Sequence, residues 1–183
     1  MTLSPEAFQT FYEGNVKFVW RTLRRLGVRE AELADATQEV FVVVYRRLHE
    51  FEGRSKATTW LFRIAFNVAR NQRRKAYERY EVPDDESVGD RVDETSDVDS
   101  ELKRRQGRAI LQSLLDAMPL EQRAAFVLFE LEGLTTNEVA EALEVPVGTV
   151  ASRVRRARET FQQGLARRNV RPDAPAILTG GLR

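Results

Sequence analysis

Apolar positions recur at helical spacing over most of the chain. Phe8, Phe11, Tyr12, Val16, Val19, Trp20, Leu23 and Leu26 return every three or four residues, which predicts one long amphipathic helix. Ser4-Pro5 precedes it as an N-cap followed by proline at the first helical position, where a missing N–H costs nothing. Gly27 supplies the stop. A second helix is predicted over residues 30–48, with Leu33, Thr37, Val40, Phe41, Val44 and Leu48 as its core stripe. Asp35, Gln38, Glu39 and Val42 lie off that stripe, a polar face with one valine that suits either solvent or a partner. A third helix runs over about residues 57–80, with Leu61, Ile64, Ala65 and Val68 buried. Trp60 is assigned to the core on spacing. Asn67, Arg70, Asn71, Arg73 and Arg74 fall mainly on other faces.

The periodicity resumes after residue 101. Residues 102–118 read as a helix with Ala109, Leu111, Leu114 and Leu115 available for packing. Pro119 opens the next helix, which carries Ala124, Phe126, Val127, Leu128 and Leu131 and ends at Gly133. Thr135-Thr136-Asn137-Glu138 is a capping-box pattern. It starts a short helix over residues 139–143, followed by the turn Glu144-Val145-Pro146 and a long final helix opening at Val147-Gly148-Thr149. At about 100° per residue, Val150, Val154, Ala157 and Phe161 of that helix share one narrow arc. Ser152 lies nearly opposite, flanked by Thr149, Arg155 and Arg156, with Arg153 and Arg158 at the borders. A capped short helix, a tight turn and an arginine-loaded second helix follow helix-turn-helix grammar. Outward hydroxyls and guanidiniums there suit base edges and phosphates in a major groove.

The predicted fold class is all-α. Two small helical domains, residues 1–80 and 102–171, are joined by an acidic flexible linker at 81–101, with a disordered tail at 172–183. Charge sharpens this division. The chain of 183 residues holds 29 Lys plus Arg against 28 Asp plus Glu, a net charge of +1. Near-neutrality argues against a polyanion partner only if charge is evenly spread, and it is not. Residues 81–101 carry −9, residues 63–79 carry +5, and residues 150–171 carry +6. A basic block in each half raises the case for a polyanion partner over two solvated helix faces.

Composition removes other classes. The chain has no Cys and one His. It therefore has no disulfide framework, thiolate metal site or cysteine nucleophile, and a Ser-His-Asp arrangement is open only through His49. The longest apolar run, residues 40–45, is six residues, far short of a membrane span. The N-terminus lacks the basic-then-apolar order of a secretory signal. Phe51-Glu52-Gly53-Arg54-Ser55-Lys56 lacks the order of a phosphate-binding loop. These features predict a soluble intracellular protein with no membrane insertion, no thiolate site and no multi-histidine metal site.

The motifs together resemble the compact extracytoplasmic-function (ECF) group of bacterial RNA polymerase sigma factors, over nearly the whole chain to about Arg168. Asp35-Ala36-Thr37-Gln38-Glu39-Val40-Phe41 is similar to the family's second conserved region. Thr59-Trp60-Leu61-Phe62-Arg63-Ile64-Ala65-Phe66-Asn67 is similar to its promoter-melting segment. Met118-Pro119, Gly133-Leu134-Thr135, Glu138-Val139-Ala140 and the stretch from Pro146 to Glu159 resemble its C-terminal promoter-reading domain.

The resemblance implies roles. The second helix would dock on the clamp helices of the largest subunit of core RNA polymerase through Asp35, Gln38, Glu39 and Val42. Asn67, Arg70, Arg73 and Arg74 would meet the minus-ten element of promoter DNA, and the loop around residues 51–55 would capture an extruded base. Ser152, Arg155 and Arg156 would read the minus-thirty-five element, with Thr149 and Arg153 on phosphates. The acidic linker would pass through the polymerase RNA path and mimic nascent RNA. An anti-sigma protein is the implied regulator, and the resemblance implies a cytoplasmic, non-enzymatic protein with no cofactor, no metal and no small-molecule substrate. The chain departs from the family pattern at Ala151, usually basic, at Glu144, usually Gly, and at Thr136, usually aromatic or Ser.

Two other classes compete. A free-standing helix-turn-helix regulator would bind an operator without polymerase, but leaves Asp35, Gln38, Glu39 and the first basic helix unexplained. A nuclease using the acidic run as metal ligands would need a rigid scaffold that a linker does not offer.

Overall fold

Helix α1, Pro5–Arg25, has an acid in its first turn, Glu6, and Arg24 and Arg25 in its last, an order the helix dipole favours. Gly27 ends it in the left-handed conformation, at φ 86°. The Gly27 N–H donates to the Arg24 carbonyl (2.9 Å) and the Val28 N–H to the Leu23 carbonyl (3.1 Å), a Schellman closure. The computed structural model describes residues 5–48, 51, 56–79 and 98–168. Two compact units divide the chain, Met1–Asp84 grouped with Glu141–Glu144, and Asp85–Ala140 with Val145–Arg183. All regular structure among the described residues is helical.

In the first unit, one tight turn at Glu30–Glu32 leads into α2, Leu33–Arg47, and α3 spans Ala57–Arg79. The second helix thus begins as a tighter turn than its periodicity implied. Every residue of the expected α2 stripe is buried. Tyr12 meets Phe41 edge to face at 4.6 Å, and Phe8 meets Tyr45 at 5.1 Å, so α1 and α2 are pinned along their length. The α3 stripe is wider than its four expected residues, because Phe62, Phe66 and Ala69 are buried too. A helix packed against two others buries more than one narrow arc. Val19, Leu23, Leu26, Leu33, Val40, Val44, Leu61, Phe62 and Ala65 have no solvent exposure. Each large side chain so buried contributes about 1.5–3 kcal/mol.

Trp60 is a correction. It is half-buried and rests on Phe51, with ring centroids 5.5 Å apart. Helical spacing alone does not separate a core position from one at the end of a packed face.

In the second unit, α4 spans Val98–Asp116 and α5 spans Leu120–Phe126, with a wide π turn at Val127–Leu131. α6 covers Thr136–Leu143, of which residues 141–143 group with the first unit, and α7 covers Val147–Arg167. Helix α4 begins four residues before the expected domain boundary at 102. Ala109 is exposed rather than packed, while Leu111, Leu114 and Leu115 are buried. Leu114 comes so close to α7 that a Cβ at Gly164 would overlap it. Phe126 and Phe161 join α5 to α7, with ring centroids 5.0 Å apart. Arg123 is buried at the α4–α5 turn, where it holds Asp116 (2.9 Å) and the Met118 carbonyl (3.3 Å).

The expected capping box forms. The Thr135 N–H donates to the Glu138 carboxylate (2.7 Å), and the Thr135 hydroxyl donates to that carboxylate (2.8 Å) while accepting from the Glu138 N–H (3.3 Å). The remainder of the acidic stretch (80–97), His49, residues 52–55 and the tail lie outside the described residues.

Candidate nucleic-acid and partner interfaces

Helix α7 follows Pro146, whose carbonyl accepts from the Thr149 N–H (2.9 Å) and the Val150 N–H (3.2 Å). Val150, Val154, Ala157, Phe161 and Leu165 are buried, so the arc read from sequence is the packed face. On the other side Arg155 and Arg156 are exposed, and Thr149, Ser152 and Arg153 are half-buried. The Ser152 hydroxyl donates to the Thr149 carbonyl at 2.9 Å. Its proton is thereby turned inward and its lone pairs are left to accept, as from the amino group of a base. Arg155 pairs with Glu159 one turn on (2.6 Å), both side chains being more than half exposed. Such a surface pair is worth at most about 1 kcal/mol and yields readily to a phosphate. Arg158 is held differently. Its Nε lies 2.5 Å from Glu130, and its guanidinium lies over the Phe129 ring at 5.3 Å.

In the first unit, Asn67, Arg70 and Arg74 share one side of α3, with Arg73 beside them. Arg70, Arg73 and Arg74 are exposed and Asn67 is half-buried. Arg70 lies over the buried Phe66 ring at 5.9 Å, a contact that fixes the guanidinium without neutralising it.

On α2, Asp35, Gln38, Glu39 and Val42 follow i, i+3, i+4, i+7 spacing and lie on one side of the helix. Asp35 and Gln38 are exposed, Glu39 is half-buried and Val42 is 44% exposed. Next to them runs a groove of about 830 Å³ between α1 and α2, walled by Phe8, Tyr12, Val16, Trp20, Phe41 and Tyr45. Gln38 and Val42 line it as well. Thr37 also borders the groove, and its buried hydroxyl has no hydrogen-bond partner. Tyr45 is 57% exposed. The sequence reading missed this groove because Phe8 and Tyr12 were counted as helix-stripe residues. Tyr45, apolar yet off the stripe, was the available signal.

The family descriptions that match are "Sigma-70 region 2" over residues 11–79 and "Sigma-70, region 4" over residues 108–161. An ECF RNA polymerase sigma-E factor of Haemophilus influenzae is 34% identical over 142 residues, covering 74% of this chain and 75% of that protein. The ECF RNA polymerase sigma-E factor of Escherichia coli K12 is 34% identical over 141 residues, covering 73% and 74%. Among solved structures, the sigma factor RpoE in complex with the anti-sigma factor NepR, from Bartonella quintana, has a TM-score of 0.69 at 22% identity, over 88% of this chain and 98% of that one. CnrH in complex with the cytosolic domain of CnrY has a TM-score of 0.61 at 23% identity, over 90% of each chain. At that identity the likeness concerns the fold. Among the described residues no helix is long and apolar enough to cross a membrane, and no cluster of His, Asp and Glu could hold a metal ion.

Proposed function

The chain belongs to the ECF sigma factors of bacterial RNA polymerase, and from that premise we propose which surfaces carry it onto polymerase and promoter. As a sigma factor it is a transcription initiation factor and not an enzyme. In our reading Asp35, Gln38, Glu39 and Val42 of α2 dock on the clamp helices of the core enzyme. Asn67, Arg70, Arg73 and Arg74 of α3 engage the minus-ten element. Ser152, Arg155 and Arg156 of α7 read the minus-thirty-five element, with Thr149 and Arg153 on phosphates. The acidic stretch links the two helical domains in sequence, and the protein works in the cytoplasm.

The observation that carries this reading is the α2 face. A structural helix needs no row of Asp35, Gln38, Glu39 and an exposed Val42 beside an apolar groove. An operator-binding regulator leaves that row without a task. The groove also supports an anti-sigma regulator. Relatives of this fold have been solved with such partners, and a regulator in the groove would share Gln38 and Val42 with the polymerase-docking row.

The test is initiation with purified core polymerase on a promoter library. The wild-type chain is expected to give transcripts with discrete starts, and duplex binding without polymerase association would refute the reading. The double variant Gln38→Arg/Glu39→Arg should lose polymerase binding and retain the wild-type helical signal. Unchanged assembly by that variant would remove α2 from the interface.

A further inference from the structure

Arg158 is one of the arginines on the helix assigned to promoter reading, yet it is anchored on the neighbouring helix. Two groups hold it. Glu130 accepts from Nε at 2.5 Å, and the Phe129 ring lies 5.3 Å beneath the guanidinium. Both belong to the π turn that continues α5. The Glu132 N–H donates five residues back to the Val127 carbonyl at 3.0 Å, which widens this turn by one residue relative to an α-helix. A wide turn keeps Glu130 on the side of Phe126, the side that faces α7 through Phe161. The antiparallel seam is thus apolar at Phe126 and Phe161, and ionic one turn on at Glu130 and Arg158.

The contrast with the other arginines of α7 is physical. Among the described residues Arg155 pairs only within its own helix, with Glu159, and both groups are largely in water. Arg156 is exposed and has no ion-pair partner among the described residues. Glu130 is only 27% exposed, so its carboxylate is less well solvated and is anchored on a packed helix. Pulling Arg158 away would leave that carboxylate poorly compensated and give up the ring contact.

We propose that Glu130 is a positioning residue that limits the phosphate-borne affinity of α7: it holds Arg158 on the α5 side of α7 and withholds that guanidinium from DNA phosphate. Sequence reading is then left to Ser152, Arg155 and Arg156, and the sequence-independent share of the affinity is kept low. A phosphate contact adds affinity for every sequence alike, so an arginine withheld from phosphate lowers the affinity for selected and unselected duplexes together and leaves their ratio to the base-reading groups. This rests on the assignment of α7 to DNA.

The experiment compares holoenzymes made with full-length chains. The probes are the duplex that the wild-type holoenzyme selects from a random library and a scrambled duplex of equal length. The readout is the slope of log affinity against log salt. One added phosphate contact steepens that slope by about 0.9, or about eightfold tighter binding at 0.1 M salt. Glu130→Gln, which keeps the shape and removes the charge, should steepen the slope by that amount on both duplexes and leave the selected-to-scrambled ratio unchanged. Arg158→Gln should leave the slope unchanged, whereas Arg156→Gln should flatten it by about 0.9. The double variant Glu130→Gln/Arg158→Gln should return to the wild-type slope.

A Glu130→Gln slope equal to wild type, or an Arg158→Gln slope flattened like that of Arg156→Gln, overturns the proposal while leaving the DNA assignment standing. An unchanged slope in Arg156→Gln as well, with the selected duplex still bound, removes α7 from the DNA and takes the proposal with it. A loss of melting temperature shared by both single variants without any slope change reduces the pair to a structural tie and also overturns the proposal.

Discussion

Replacing Glu144 with glycine should stabilise the helix-turn-helix by about 1 kcal/mol, and replacing it with alanine should not. Glu144 follows α6 in the left-handed region, at φ 54°, a conformation that glycine alone adopts freely. The turn closes there as a Schellman motif. The Glu144 N–H donates to the Glu141 carbonyl (3.3 Å) and the Val145 N–H to the Ala140 carbonyl (3.1 Å). These bonds require positive φ, so the strain is held by the turn and not by the carboxylate. A side chain in that conformation costs about 1–2 kcal/mol. Glycine removes that cost but loses part of the gain, because it also frees the unfolded chain by about 0.4–1 kcal/mol. The net gain is therefore about 1 kcal/mol or somewhat less, and alanine separates the terms by removing the carboxylate while keeping the Cβ. Hydrogen exchange of the full chain reads the difference at the amides of Val145 and Val150. Glu144→Gly should protect them about fivefold more than Glu144→Ala, the ratio for 1 kcal/mol. Equal protection in the two variants would refute the strain argument. A gain in alanine as large as in glycine would show that the charge matters and the backbone does not.

Other expectations follow from the same geometry. Thr135→Val removes both capping hydroxyl bonds of α6 and should cost about 1 kcal/mol by urea denaturation. Gly148 lies in the first turn of α7 with nothing within 4 Å of a Cβ built on it, so Gly148→Ala should raise stability by about 0.5–1 kcal/mol, seen as a higher melting temperature. Arg123→Ala should destabilise by about 2–3 kcal/mol, because the Met118 carbonyl and Asp116 lose a buried donor. Asp116 is itself 52% exposed and can be solvated, so a loss above 5 kcal/mol would contradict that account.

Much of the fold was legible because it rests on repeating, local signals. The apolar stripes, Gly27, Pro119, Gly133 and the Thr135–Glu138 box each depend on residues within a few positions of one another, and each occurs where the pattern implied. The exposed α2 row was legible for the same reason, since a helix wheel fixes a face once the stripe is known. What escaped depends on neighbours far apart in the chain. Nothing in Val127–Leu131 announces a π turn, because its side chains are as apolar as those of an α-helix. Arg158 read as a border residue because its partner is 28 positions away. Trp60 read as core because its packing depends on Phe51 across a chain break in periodicity. The groove between α1 and α2 is a gap between two correctly read helices, and a gap has no residue of its own.

The placement of charge also changes what the basic blocks mean. Counting arginines on α7 treats each as an equal contributor to polyanion binding, and over residues 150–171 that count reaches +6 net. The structure divides them. Arg158 is bound by Glu130 and Phe129, Arg168 bonds Ser113 and the Gly164 carbonyl, and Arg155 shares an exposed pair with Glu159. Arg156, exposed, and Arg153, half-buried, have no ion-pair partner among the described residues. Arg158 and Arg168 thus tie α7 to its neighbours, Arg167 is exposed, and Arg155 and Arg156 face outward. A groove-reading helix needs its free charge where its backbone meets the DNA. On the reading proposed for α7, the distribution of carboxylates around it, more than the number of arginines on it, would set the sequence-independent share of its affinity.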